Sequence, residues 1–277
     1  MRRSTTSAGT DHRRRAVGAL LVAELICALL LVGRPHPAPP EPVLAEPASL
    51  TTPTAASTTE TLTDGRTVHL VGLGGARTAP LLARIGGQMN DAARAVTAFW
   101  GPDWPRDIVI VAAGTDAEFG TLTGGGPDIA ATTTAERIMF AAGAAAMSDA
   151  SLRIVLRHEL FHFASRADTA ADAPRFLTEG VADFVGRPPA PRPRDAELAQ
   201  IPADADLSAP GPAGSSAYDR AWWFSRFVAA TYGTDTLRAL YLRACAPGHP
   251  DAATAVRDTL GADLSTVLVR WRQWMSG

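Results

Sequence analysis

Two histidines one helical turn apart, with a glutamate directly after the first, constrain this chain more than any other feature. His158-Glu159-Leu160-Phe161-His162 lies inside the apolar stretch Leu152 to Phe163. That stretch reads as a helix, and on a helix positions i and i+4 sit about 40° apart around the axis. Both imidazoles therefore leave one face, as two nitrogens must to reach a single zinc at roughly 2.0–2.1 Å. Glu159 is beside the pair, close enough to hold a water at the metal without being a ligand. A general base is wanted at that position.

A hydrolytic zinc usually takes three protein ligands and keeps one position open. Seventeen residues beyond His162, Leu177-Thr178-Glu179-Gly180-Val181-Ala182-Asp183 offers Glu179 as the third ligand. Asp183 follows one turn later on the same face. Metal-bound imidazoles commonly donate their free N–H to a carboxylate, and Asp183 is placed to receive that of His158. The duller alternatives are a solvated Glu179 and an Asp183 paired with Arg175 or Arg187. His12, His36, His69 and His249 are isolated and read as structural or solvated.

The whole pattern is H-E-x-x-H, sixteen residues, then E-x-x-x-D. It resembles the gluzincin metallopeptidases, the thermolysin-like side of the peptidase MA clan. The wording Thr-Glu-Gly-Val-Ala-Asp-Phe at 178–184 is most similar to the small bacterial peptidase-MA-like domains. The match is tight over residues 152–184 and looser from there to Gly277. The resemblance implies one zinc per chain held by His158, His162 and Glu179, with Glu159 as catalytic base. It also implies an α+β, zincin-like, two-lobed domain: an N-terminal lobe with a small mixed sheet and helices, then a helical C-terminal lobe. Related enzymes stabilise the tetrahedral oxyanion with a Tyr or His from the second lobe, and Tyr218 stands where similar families carry Ala-Tyr. Its plainer alternative is a ring packed at a helix start. Trp222, Trp223, Phe224 and Phe227 read as core. The activity implied is hydrolysis of peptide bonds. An inactive surface-interaction domain on the same scaffold, or a zinc hydrolase of non-peptide amides or esters, would fit the same residues.

Elsewhere the chain is apolar enough (46%) to bury a good core. All 26 of its basic residues are Arg, which together with abundant Ala, Gly and Pro suggests a high-GC bacterial source. A net charge of −2 with no basic patch gives no reason to expect nucleic acid. Arg2, Arg3, Arg13, Arg14 and Arg15 precede an 18-residue apolar run, Ala16 to Gly33. As helix it would be about 27 Å long, enough to cross a bilayer core. Glu24 costs about 3 kcal/mol on the insertion scale, and ten Leu, Ile and Val residues return about 3–6 kcal/mol.

Arginines ahead of the span predict residues 1–15 in the cytoplasm, 16–33 as a signal-anchor and the remainder outside. The alternative is secretion after cleavage, for which Val43-Leu44-Ala45 is a distant site. Residues 34–63, rich in Pro, Ala and Thr, predict a semi-extended linker, and 64–277 the folded domain. Cys27 and Cys245 fall on either side of that boundary, so the domain is expected to have no internal disulfide.

Within the domain, strands are expected at 66–73, 107–112 and 136–140, the last as the sheet edge bordering the cleft, where an extended peptide could add a strand. Helices are expected over 79–100 and 152–163, from the capping-box start Thr115 to Glu118, and over 216–232, 236–246, 251–260 and 263–275. Gly186 to Gly214 is expected as a long mobile rim.

Overall fold

The computed structural model describes residues 56–126 and 129–277. The expected cytoplasmic segment 1–15, the expected signal-anchor 16–33 and most of the expected linker lie outside those residues. Among the described residues no helix is long and apolar enough to cross a membrane.

Five strands form one mixed sheet in the order β1-β2-β3-β5-β4. β1 (Ala56–Thr61) runs antiparallel to β2 (Thr67–Gly72), joined through a turn at Gly65, whose φ of +82° suits glycine. β1 corrects the expected linker, since residues 56–61 pair with β2 along their full length. Ser57-Thr58-Thr59-Glu60-Thr61 has no alternating apolar face by which to read a strand.

β2 leads into helix α1 (Ala79–Trp100), which returns the chain to β3 (Asp107–Ala112), parallel to β2. A parallel pair needs such a crossover. α1 starts with a proline in its first turn, tolerated there because the first amides have no helical partner. It buries Leu81, Leu82, Ile85, Met89, Ala92, Ala93, Val96, Phe99 and Trp100, one apolar stripe at helical spacing, and stops at Gly101 with φ +98°. α2 (Asp116–Thr123) is capped by Thr115, whose Oγ1 accepts the Glu118 amide at 3.1 Å. The Glu118 carboxylate reaches the Gly114 amide instead of closing the expected box.

The edge strand is a second correction. β5 (Ile138–Phe140) is interior, parallel to β3 on one side and antiparallel to β4 (Ala131–Thr133) on the other. β4, not the 136–140 segment, is therefore the border on this side of the sheet, with β1 at the other. All three β5 residues are buried, which an interior strand of Ile, Met and Phe requires.

Helix α3 (Asp149–Ser165) and helix α4 (Arg175–Gly186) carry the two motifs. Beyond them come the short α5 (Asp204–Leu207), then α6 (Gly211–Tyr232), α7 (Thr234–Cys245), α8 (Ala252–Leu260) and α9 (Leu264–Ser276). The 186–214 segment is not the bare loop expected. It holds a 3-10 turn at Ala196–Leu198 and helix α5, and buries Ala199 and Leu207. Helix α6 begins five residues before the expected Ser216.

A mixed sheet followed by helices gives the α+β plan, but the two halves share one continuous core, from Leu70 and Ile108 in the sheet to Trp271 and Met275 in α9. A smaller cluster of Val111, Ala113, Phe119, Met139 and Ala141 covers the sheet under α2.

Candidate metal centre

α3 begins at Ser148, whose hydroxyl accepts the Ser151 amide, with Asp149 in the first turn, where a negative charge suits the helix dipole. Leu152, Leu156, Leu160, Phe161 and Phe163 are fully buried and fix its rotation. Phe161 meets Phe99, Trp100 and Tyr241 edge-on, with centroids 5.4–5.8 Å apart. With those faces committed to the core, His158 and His162 turn toward α4, their side chains 14% and 22% exposed.

Two glycines bring α4 close. A Cβ at Gly180 would lie 2.4 Å from the Ala221 carbonyl oxygen of α6, and one at Gly186 would lie 2.9 Å from the Ile154 carbonyl oxygen of α3. Only a residue without a side chain lets α4 wedge between both helices this tightly. Glu179, next to the first of these glycines, is thereby carried over the histidines.

The resulting geometry is compact. His158 Nε2 and His162 Nε2 are 3.1 Å apart, and Glu179 Oε2 lies 3.3 Å from the first and 3.7 Å from the second. A tetrahedral zinc with bonds of about 2.05 Å sets its ligand atoms about 3.3–3.4 Å apart. The three observed separations bracket that edge, so the residues fit zinc without rearrangement. Among the described residues this is the group of His, Cys, Asp and Glu side chains able to hold a metal.

The donor chemistry agrees. His158 Nδ1 is 2.9 Å from Asp183 Oδ1, which commits the Nδ1 proton to that hydrogen bond and makes Nε2 the nitrogen that would bind a cation once its own proton is displaced. Asp183 is buried and also pairs with Arg187 at 2.6 Å, while Arg187 reaches Asp219 of α6 at 2.6 Å and lies 5.0 Å over the Trp222 ring. Arg175 is engaged elsewhere, with the Asp204 carbonyl and Ser208, so Arg187 is the ion partner of Asp183.

Electrostatics follow the contacts. Burial pushes the His158 pKa down, but the hydrogen bonds it donates to Asp183 and Glu179 outweigh that, and the result is raised well above the usual histidine value. Burial works against ionisation of Glu179 too, yet the hydrogen bonds from His158 and His162 hold it below the usual carboxylate range. Asp183 is likewise lowered against its burial by the Arg187 charge and the His158 hydrogen bond. Negative charge is thus fixed on two carboxylates around the imidazoles, which a divalent cation would neutralise.

Tyr218, on α6, is half-buried. Its phenol pKa is raised by burial and then by the charges of Glu179 and Asp183, so the group keeps its proton and can donate it in a hydrogen bond. Trp222, Trp223, Phe224 and Phe227 are buried in the core. His69 bonds Thr59, and His249 lies against Asp172 and the Pro250 carbonyl, both away from the centre.

Glu159 is 8% exposed, and its carboxylate belongs to a contact that the sequence did not reveal. Thr133 Oγ1, on β4, lies 2.7 Å from Glu159 Oε2 and 2.9 Å from the Glu159 carbonyl oxygen. The one available signal was a run of β-branched threonines, Thr132 to Thr134, too short to stand out.

No protein-family model and no curated protein matches the sequence. Among solved structures the chain is similar to the M1 zinc metallopeptidase of Deinococcus radiodurans, at 18% identity and a TM-score of 0.45, over 78% of this chain and 50% of that one. A two-domain M1 zinc metallopeptidase bound to L-arginine matches at 17% identity and 0.46, covering 81% of this chain and 52% of that one. Legionella pneumophila aminopeptidase A in complex with aspartic acid matches at 13% identity and 0.49, over 79% and 28%. The chain spans about half the length of the M1 structures it matches. The likeness is one of distant fold.

Proposed function

We propose that this chain is a zinc-dependent peptidase in which His158, His162 and Glu179 hold the metal and Glu159 is the general base. The observation that carries the proposal is the convergence of His158 Nε2, His162 Nε2 and Glu179 Oε2 at separations of 3.1–3.7 Å. A zinc held there would polarise a scissile carbonyl and lower the pKa of a water toward about 7.

The chain's own residues divide the remaining work. The Glu159 carboxylate takes the proton of the attacking water and passes it to the leaving amine, a task for a carboxylate adjacent to a ligand but outside the ligand set. The Tyr218 phenol, kept protonated by burial and by nearby carboxylates, donates to the developing oxyanion. Asp183 accepts a hydrogen bond from His158 Nδ1–H and so holds the ring in the ligating tautomer. The free edge of β4 gives an extended peptide a backbone to pair with.

The test is direct. Full-length protein is purified, its zinc measured, and a degenerate peptide library added with and without chelator. Hydrolysis that the chelator abolishes and added zinc restores supports the proposal. Zinc-loaded protein that cleaves no peptide overturns it, in favour of an interaction domain. Cleavage confined to non-peptide amides or esters would reassign the substrate.

The membrane-anchored, extracytoplasmic placement is a separate proposal, resting on the five arginines and the apolar run 16–33. Protease added to intact spheroplasts should remove the domain, and complete protection would overturn the orientation.

A further inference from the structure

We infer that Thr133 is a positioning residue that clasps the Glu159 carboxylate from the edge strand of the sheet. This rests on the peptidase reading, since Glu159 has a base to orient only if there is a water to activate. The contact joins two parts of the chain 26 residues apart. Thr133 stands at the end of β4, opposite Ile138 of β5, and the hydroxyl spans from that strand to α3. Its Oγ1 is 2.7 Å from Glu159 Oε2 and 2.9 Å from the main-chain oxygen of the same residue.

A hydroxyl has one proton to give and two acceptors within reach. The carboxylate is the nearer, and an ionised acceptor makes the stronger bond. Thr133 therefore donates to Oε2, and among the described residues no other side chain is hydrogen-bonded to this carboxylate. A glutamate has three rotatable bonds, and a base that swings away from the attacking water forfeits much of its effect. Threonine is suited to the task because its branched Cβ restricts χ1, so the strand backbone dictates where Oγ1 points.

Among the described residues β4 pairs only with β5 and so forms one edge of the sheet. The strand at this border of the sheet and the residue that aims the base are one segment.

The experiment compares Thr133→Val and Thr133→Ser in full-length, zinc-loaded protein. Valine keeps the shape and removes the hydroxyl; serine keeps the hydroxyl. Thr133→Val should lower kcat on the order of 10-fold or more with KM within about threefold, because the β4 backbone is unchanged. Thr133→Ser should return kcat to within about threefold of wild type. A loss confined to KM, or a serine variant as slow as the valine one, would overturn the inference, because a merely structural threonine would not separate the two.

Thermal unfolding gives a readout independent of turnover. If the bond exists, the melting shifts of Thr133→Val and Glu159→Ala should fail to add by about 2 °C or more in the double variant. Additive shifts would overturn the clasp even in an active enzyme. Wild-type protein that binds zinc and hydrolyses nothing would instead remove the peptidase reading, and with it any base for Thr133 to position.

Discussion

His158 Nδ1 and Asp183 Oδ1 are 2.9 Å apart, bridging α3 and α4 at the one face where both helices carry candidate ligands. This pair fixes a tautomer, and its loss should be graded, not absolute. His158→Ala, His162→Ala and Glu179→Ala should each abolish stoichiometric zinc, measured by elemental analysis of purified protein. Asp183→Ala should weaken zinc affinity by about 10–100-fold in competition with a chromogenic chelator. Unchanged affinity would reduce Asp183 to an ion-pair partner of Arg187.

Glu159→Gln removes the ability to accept a proton while keeping size and the capacity to accept from Thr133. Zinc content and melting temperature should stay close to wild type, and peptide hydrolysis should fall about 10²–10⁴-fold. Activity that survives in zinc-loaded Glu159→Gln protein would eliminate this residue as the base.

For Tyr218 the question is whether the phenol meets the oxyanion or only packs. Tyr218→Phe should lower kcat by about 10²-fold with KM little changed. A decrease below about threefold would leave the ring with a packing role.

Gly180 allows no side chain. Its Cβ would press on the Ala221 carbonyl, 2.4 Å away, so Gly180→Ala must force α4 from α6. Overpacking of this kind costs about 1–3 kcal/mol, several degrees of melting temperature in a domain of this size. An unchanged melting curve would mean that the two helices separate freely.

Cys245 is fully buried, and burial pushes its thiol up to about 12. In the folded protein iodoacetamide at pH 8 should leave Cys245 unmodified by peptide mass mapping, and denaturation should expose it. The raised pKa means the fold favours the protonated thiol. That stabilisation is complete below the unfolded value of about 8.5 and is lost as pH rises through about 9 toward 12. Cys245→Ala should therefore flatten the alkaline decline in stability, and an identical decline would show that the thiol does not titrate with folding.

The strongly periodic parts of the chain were legible: α1 appears over Ala79–Trp100 and β3 over Asp107–Ala112, as their apolar spacing predicts. The candidate ligands were legible too, because i, i+4 spacing on one helix and a carboxylate on the next are local properties. What could not be read depends on tertiary contact. β1 carries mostly exposed polar side chains and is a strand only because β2 supplies its hydrogen bonds. β4 has three residues, too few for any period, yet it displaces β5 from the edge and brings Thr133 to Glu159. Arg187 was legible only as one of two alternative partners for Asp183. Nothing local says that Asp219, 32 positions away, would be its second partner.

The wedging of α4 between α3 and α6 would make a metal bound by His158, His162 and Glu179 a thermodynamic rivet. The ligand atoms come from α3 and α4, while Arg187 ties the end of α4 through Asp219 to α6, and all three helices contribute to the same core. Zinc bound here would brace the whole domain instead of a local loop. At a free concentration a thousandfold above its dissociation constant it would add about 4 kcal/mol to the free energy of unfolding. The melting temperature would then serve as a gauge of occupancy, and removing the metal would soften the entire fold.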